Sequence, residues 1–103
     1  METNEILDTS VAMDCGEGTI TVFTLIEYPP AADKFFDIIF PETMDYVKAL
    51  EIANGLRAKG TPLGAIDILI AAMCLNRSAR LITKDNGFKF IQGVSPDFSL
   101  EVR

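Results

Sequence analysis

The segment 65-AIDILIAAMCLN-76 constrains the fold more than any other part of the chain. It predicts a helix with apolar residues on almost every side, and such a helix must be covered by other elements. One carboxylate, Asp67, lies inside this run. The fold must therefore bury the helix and also give this acidic side chain a partner, a cation or a route to water.

Segments of strand and helix composition alternate along the rest of the chain. Strands are predicted where β-branched, aromatic and other apolar residues cluster, namely at 5–8, from 19 onward, at 37–40, 80–83 and 98–102. Helices are predicted at 43–59 and 65–76, with shorter ones after a capping Thr24 and through 88–91. This order predicts an α/β fold, a three-layer α/β/α sandwich with a mainly parallel central sheet. We expect a single domain over residues 1–103.

The helix predicted at 43–59 is amphipathic. Gly60 and Pro62 end it. We expect its apolar residues to form the inward face: Met44, Val47, Ala49, Leu50, Ala53 and Leu56.

Composition excludes several classes of function. The chain has a net charge of −6 and no histidine, which argues against non-specific DNA coating, zinc sites and histidine-based catalysis. We expect Cys15 and Cys74 to be reduced and packed. The start METNEILD lacks the pattern of a signal peptide, and no apolar run is long enough to span a membrane. A cytoplasmic protein is expected.

Two carboxylates follow predicted strands. Asp8 ends the first strand and Asp85 comes just after the strand at 80–83. Parallel α/β folds bind ligands at the carboxyl ends of their strands. Taken alone, however, Asp8 is more typical of a helix cap and Asp85 of a turn before Asn86 and Gly87.

Two further carboxylates occur in apolar surroundings. Asp67 lies near the start of the buried helix, and Glu27 ends the apolar run 22-VFTLIE-27. The alternative for each is a solvent-facing position on its helix. Together with Asp8 and Asp85, they predict an acidic site formed by two strand ends and two first turns of helices. Carboxylate oxygens are typical ligands of Mg²⁺ or Mn²⁺, and such a site activates water for attack on a phosphodiester.

The ordered motifs 7-LDTS-10, 22-VFTLIE-27, 64-GAIDILIAA-72 and 81-LITKD-85 resemble those of the PIN domain, the ribonuclease fold of VapC-type toxins. The last two motifs are the more specific, and the resemblance covers nearly the whole chain. It implies RNA cleavage with Mg²⁺ or Mn²⁺, a homodimer and an antitoxin partner. By position, Asp8, Glu27, Asp67 and Asp85 match the family's acids. The match also gives Ser10 and Thr83 the role of orienting a carboxylate or water.

The sequence departs from this family in length. Only 18 residues separate Asp8 from Glu27, so the first helix must be very short or lost. A non-catalytic binding or scaffold module on the same fold is therefore an alternative. A phosphatase or a phosphoryl-accepting receiver domain, with Asp8 as nucleophile, is a weaker alternative, because Ser10 stands where the phosphatase needs a second aspartate. Asp14 is interpreted as a surface charge.

Overall fold

Five short strands form where the sequence is richest in β-branched and aromatic residues. The structure is a computed structural model, and it describes residues 4–103. Residues 1–3 of the predicted domain lie outside the described residues. The strands are β1 (Glu5–Leu7), β2 (Glu17–Thr21), β3 (Phe35–Ile39), β4 (Arg80–Thr83) and β5 (Leu100–Val102).

Helices connect these strands. They are α1 (Thr9–Ala12), α2 (Val22–Glu27), α3 (Thr43–Ala58), α4 (Ala65–Asn76) and α5 (Lys89–Gln92), and 3₁₀ turns cover Pro29–Asp33 and Asn86–Phe88. The four residues of α1 agree with the expectation that the first helix is very short. The cap of α2 is corrected: Thr21, not Thr24, is the capping residue, because its hydroxyl accepts a hydrogen bond from the Thr24 N–H at 3.4 Å.

All observed strand pairs are parallel. One ladder has the order β1-β4-β5 and a second joins β2 to β3. Cα atoms of β1 and β2 approach within 8 Å, closer than the about 10 Å between stacked sheets, so the two ladders lie edge to edge. The strands then lie in the order β3-β2-β1-β4-β5. The chain adds β2 and β3 on one side of β1 and then β4 and β5 on the other, so the direction in which strands are added reverses between β1 and β4. Ligands of such sheets bind outside the carboxyl ends of the strands at this point of reversal.

The sheet has an apolar cluster on each face. Ile6 and Leu81 pack with α3 and α4, whereas their neighbours Leu7 and Ile82 pack with Val11 of α1 on the other face. Successive side chains of a strand point to opposite faces, and the register pairs Ile6 with Leu81 and Leu7 with Ile82. The predicted α/β fold, with a parallel sheet between helices, is confirmed.

Helix α4 is buried as its composition predicts. Its seven consecutive residues from Ile68 to Cys74 are buried, because α3 covers one side of it and the sheet another. Cys15 and Cys74 are both free. Burial, the main cause, raises the pKa of the Cys74 thiol to about 12. A thiol of this kind is protonated at neutral pH and unreactive.

The predicted inward face of α3 is partly wrong. Ile52 and Leu56 are buried and Ala49 and Ala53 pack against them. The other members of the predicted face, Met44, Val47 and Leu50, are exposed. A helix turns 100° per residue, so Val47 and Leu50 lie nearly opposite Ile52, and Met44 lies to one side of it. Helix α3 is thus apolar on both sides, and periodicity does not show which side faces the core.

No helix within residues 4–103 combines the length and hydropathy that crossing a bilayer requires.

Candidate active site

Asp8 connects β1 to α1, but its side chain does not cap the helix. Its backbone carbonyl accepts from the N–H groups of Val11 at 3.0 Å and Ala12 at 2.9 Å, and no side-chain capping bond forms. The carboxylate turns instead toward β4, where Thr83 Oγ1 donates to its Oδ2 at 2.7 Å. The side chain of Asp8 is therefore fixed at the carboxyl end of the central strands.

Thr83, the last residue of β4, links two of the acids. Its hydroxyl is buried, donates to Asp8 and accepts from the backbone N–H of Asp85 at 3.0 Å. Parallel pairing of β1 with β4 brings these strand ends together. The hydrogen bond from Thr83 to Asp8 is the kind of contact that orients a carboxylate.

Asp85 has the turn role that its sequence context suggested as an alternative. Its Oδ1 accepts from the Gly87 N–H at 2.8 Å, which caps the 3₁₀ turn Asn86–Phe88. The residue is exposed. A capping carboxylate retains further lone pairs on both oxygens, so the turn role leaves acceptor capacity for a ligand.

Glu27 is the last residue of α2, which corrects its predicted position in a first turn. Thr9 Oγ1 donates to Glu27 Oε1 at 2.9 Å and lies 3.0 Å from Thr24 Oγ1. The sequence interpretation missed Thr9 as a residue that orients an acid. Its place directly after Asp8, at the start of α1, was the available signal.

Asp67 lies in the first turn of α4, as predicted, and is half-buried. Within residues 4–103 its carboxylate has neither a hydrogen bond nor an ion pair. Burial raises its pKa most, and the charges of Asp8, Asp85 and Glu27 raise it further. The helix N-terminus favours a negative charge there, but it does not offset these effects.

The pKa of Asp8 is raised as well. Burial is the largest cause and raises it, the hydrogen bond from Thr83 and the neighbouring Thr9 N–H lower it, and the charges of Glu27 and Asp85 raise it. A like charge raises the pKa of a carboxylate in this way only when it is near. The four acids therefore form one electrostatic cluster, which we call the acid cluster.

The acid cluster fits a hard divalent cation in donor type, since all four side chains offer carboxylate oxygens. Its position at the carboxyl edge of a parallel sheet also fits. Within residues 4–103, however, no three acidic or sulfur side chains are arranged to hold one metal ion. Coordination would require side-chain rotation, which is easiest for the exposed Glu27 and Asp85.

Ser10 and Asp14 contact Lys84 rather than the acid cluster. Ser10 Oγ accepts from the Lys84 backbone N–H at 3.1 Å, so it fixes the turn after β4 instead of orienting a carboxylate as predicted. Asp14 is exposed, as expected of a surface charge, and forms an ion pair with the Lys84 ammonium group. The hydrogen bond from Lys84, more than its charge, lowers the pKa of Asp14.

Comparison with known proteins identifies the fold. A chain of VapBC2 from Rickettsia felis, in a structure bound to a DNA fragment from the promoter, superposes with a TM-score of 0.77 and 20% identity over 95% of this chain and 97% of that one. A chain of DNA-bound VapBC from Salmonella typhimurium gives a TM-score of 0.71 and 19% identity over 99% and 98%. At this identity the likeness establishes a shared fold.

Sequence comparison is less extensive. No family model matches the chain. A porphobilinogen deaminase from Corynebacterium aurimucosum is 41% identical over 54 residues, which is 52% of this chain but only 18% of that protein. The chain thus spans less than a fifth of this relative, a match too partial to place it in the relative's family.

Proposed function

We propose that the protein is a Mg²⁺- or Mn²⁺-dependent endoribonuclease of the PIN type, with Asp8, Glu27, Asp67 and Asp85 as its metal ligands. The observation that carries this proposal is the meeting of these acids at the carboxyl edge of the parallel sheet, where Thr83 holds Asp8 and Thr9 holds Glu27. Carboxylates that repel one another at a sheet edge cost stability, and a divalent cation between them removes that cost.

Each acid has a distinct part in the proposed site. Asp8 is held by Thr83 and is the fixed ligand. Asp67 is unpaired within the described residues and is the ligand that gains most from a cation. Glu27 is aligned by Thr9, and Asp85 closes the site from the turn after β4. When bound, the cation supplies Lewis acidity and a nucleophilic water for phosphodiester hydrolysis.

The structural neighbours support a biological context. Both are chains of VapBC assemblies, which are toxin–antitoxin pairs, and each covers at least 95% of this chain. We infer that this chain is the nuclease partner of such a pair, bound and inhibited by a small antitoxin protein. RNA is the proposed substrate, on the strength of the PIN-like motifs that carry the acids.

A cleavage assay tests the nuclease proposal. Purified protein is incubated with a pool of structured and single-stranded RNAs in Mn²⁺. We expect cleavage that EDTA abolishes and that Asp67→Asn lowers at least about 100-fold, with an unchanged circular dichroism spectrum. Asp33→Asn, an exposed aspartate outside the acid cluster, is the matched control and should cleave normally. Cleavage that persists unchanged in Asp67→Asn would overturn the assignment.

A second candidate is a non-catalytic binding module on the same fold. It is favoured by one observation: no three acids within residues 4–103 are already arranged around a metal position. This module should bind no Mn²⁺ at millimolar concentration and should cleave none of the RNAs. The nuclease should bind Mn²⁺ and cleave RNA.

A further inference from the structure

An apolar groove lies directly beside the acid cluster. It runs between the end of α2 and the start of α4, has a volume of about 480 Å³, and is lined by Phe23, Ile26 and Ile66 together with Glu27 and Asp67. Ile26 is 69% exposed and Ile66 45% exposed. Exposed apolar residues that are grouped in a groove mark ligand sites more often than isolated ones do.

The lining of the groove defines what it can hold. Its charged groups are the carboxylates of Glu27 and Asp67, and no basic residue lines it within the described chain. The groove therefore repels a free phosphate and favours an uncharged, flat and largely apolar group. The half-buried ring of Phe23 offers a surface for stacking.

The groove adjoins the acid cluster, and this position favours one occupant. A ligand whose phosphodiester lies at Glu27 and Asp67 places its adjoining group in a groove that begins at the same two residues. In a nucleic acid that adjoining group is a nucleobase, which is uncharged and has an apolar face. Proteins bind unstacked bases on aromatic and apolar side chains in this manner.

We propose that this groove is a nucleobase subsite for the nucleotide next to the cleaved phosphodiester. The proposal rests on the proposed nuclease function and deepens it, since it makes unpaired RNA the substrate class. A base inside a duplex is stacked and cannot enter the groove. Apart from the carboxylates of Glu27 and Asp67, which are the proposed metal ligands, its named lining residues are apolar, so the subsite recognises the unstacked state of a base more than its identity.

Nucleoside titration tests the subsite without any need for catalysis. Protein labelled at isoleucine methyl groups is titrated with uridine and with adenosine in the absence of metal. The methyl signals of Ile26 and Ile66 should shift saturably, while that of the core residue Ile52 stays in place. Ile66→Ser should weaken the shift at Ile26, and Phe90→Ser, at an exposed apolar residue on α5, should leave it unchanged.

Cleavage kinetics give a second readout. Stacking contributes about 1–3 kcal/mol per base, so one abasic nucleotide at the cleavage site should lower kcat/KM at least about 5-fold for the natural protein. The same abasic nucleotide should have less than about a 2-fold effect on Ile66→Ser. Phe90→Ser should retain the full effect.

The two proposals fail in different ways. Saturable nucleoside binding without RNA cleavage would overturn the nuclease and leave the base-binding groove standing. Cleavage that is insensitive to abasic nucleotides, with no methyl shift on nucleoside addition, would overturn the subsite alone. Shifts produced by a leucine-rich peptide and not by nucleosides would also overturn it, because the groove would then be a protein-docking site.

Discussion

At the scale of single residues, Asp8 and Asp67 each have a raised pKa in the folded protein, first because of burial and further because of the neighbouring carboxylates. A carboxylate whose pKa is raised in the folded state destabilises that state above the raised pKa, because the unfolded chain loses its proton more readily. The cost disappears as the pH falls below the ordinary value near 3.8. Metal-free protein should therefore gain stability when either charge is removed.

Asp8→Asn tests this expectation. At pH 7 without metal it should raise Tm by a few degrees, since about 1 kcal/mol shifts a domain of this size by roughly 4–8 °C. The gain should vanish near pH 3. Asp14→Asn is the control, and it should lower Tm instead of raising it, because Lys84 lowers the pKa of Asp14. Thermal unfolding that shows Asp8→Asn to be less stable than the natural protein at pH 7 would contradict a net destabilising charge at Asp8.

Thr9 provides a second prediction at this scale. Thr9→Val removes the hydrogen bond to Glu27 and preserves the shape of the side chain. Groups that orient metal ligands typically contribute about 10- to 100-fold in affinity or activity, and we expect Mn²⁺ affinity to fall by about 10-fold. Thr43→Val, at the exposed start of α3, should have no effect in the same calorimetric titration.

At the scale of elements, one buried ion pair joins α3 to α4. The Asp45 side chain is 2% exposed and accepts from Arg77 Nη1 at 3.0 Å and Asn76 Nδ2 at 2.9 Å. It also accepts from the Glu42 N–H at 2.7 Å, which completes a capping box at the start of α3. Burial raises the pKa of Asp45, but these hydrogen bonds outweigh it and the net pKa is lowered.

Substitution should reveal an asymmetry in this pair. Arg77→Met leaves Asp45 buried without its cation and should cost about 3–5 kcal/mol of unfolding free energy. Asp45→Asn should cost about 2 kcal/mol or less, because Arg77 is 25% exposed and also donates to the Met73 carbonyl. Denaturant unfolding measures both, and Glu51→Gln in an exposed pair with Lys48 should change stability by less than about 0.5 kcal/mol.

The same pair predicts the response to acid. A lowered pKa means that Asp45 stabilises the fold above the ordinary value of 3.8, and that this contribution is lost as the pH falls through the lower folded value. The natural protein should thus lose more stability between pH 5 and pH 2 than Asp45→Asn does. An identical acid dependence in the two proteins would contradict the role of the ion pair.

Sequence reasoning succeeded where one residue pattern has one structural solution. Helix α4 is apolar on all sides and therefore had to be buried, and the run at 80–83 was correctly predicted as a strand. The sequence predictions were wrong where one residue pattern is compatible with two structures. Helix α3 has apolar residues on two sides, and Asp45 gave no signal of burial because its partner Arg77 is 32 residues away. Ser10 and Thr9 are adjacent hydroxyls, and only the fold decides which one contacts an acid.

At the scale of the whole molecule, the outer side of α3 remains uncovered. Met44, Val47 and Leu50 are each more than half exposed and recur at intervals of three residues, so they share one side of the helix. Grouped exposed apolar residues on a small domain promote association. The homodimer implied by the family resemblance would use this surface.

Leu50→Glu tests self-association. Sedimentation should show concentration-dependent dimers of the natural protein and monomers of this variant. Met13→Glu changes an apolar residue that is likewise more than half exposed, but it lies outside α3 and should leave the dimer intact. If both variants and the natural protein are monomers at about 100 µM, well above the concentration at which a micromolar dimer dissociates, the surface is not a dimer interface.

The central claim is that four separated acids form one cation site, and calorimetric titration with Mn²⁺ tests it most directly. We predict saturable binding to the natural protein, binding reduced at least about 10-fold in Asp67→Asn, and unchanged binding in Asp33→Asn. No binding to the natural protein at millimolar Mn²⁺, or equal binding to all three proteins, would contradict the claim.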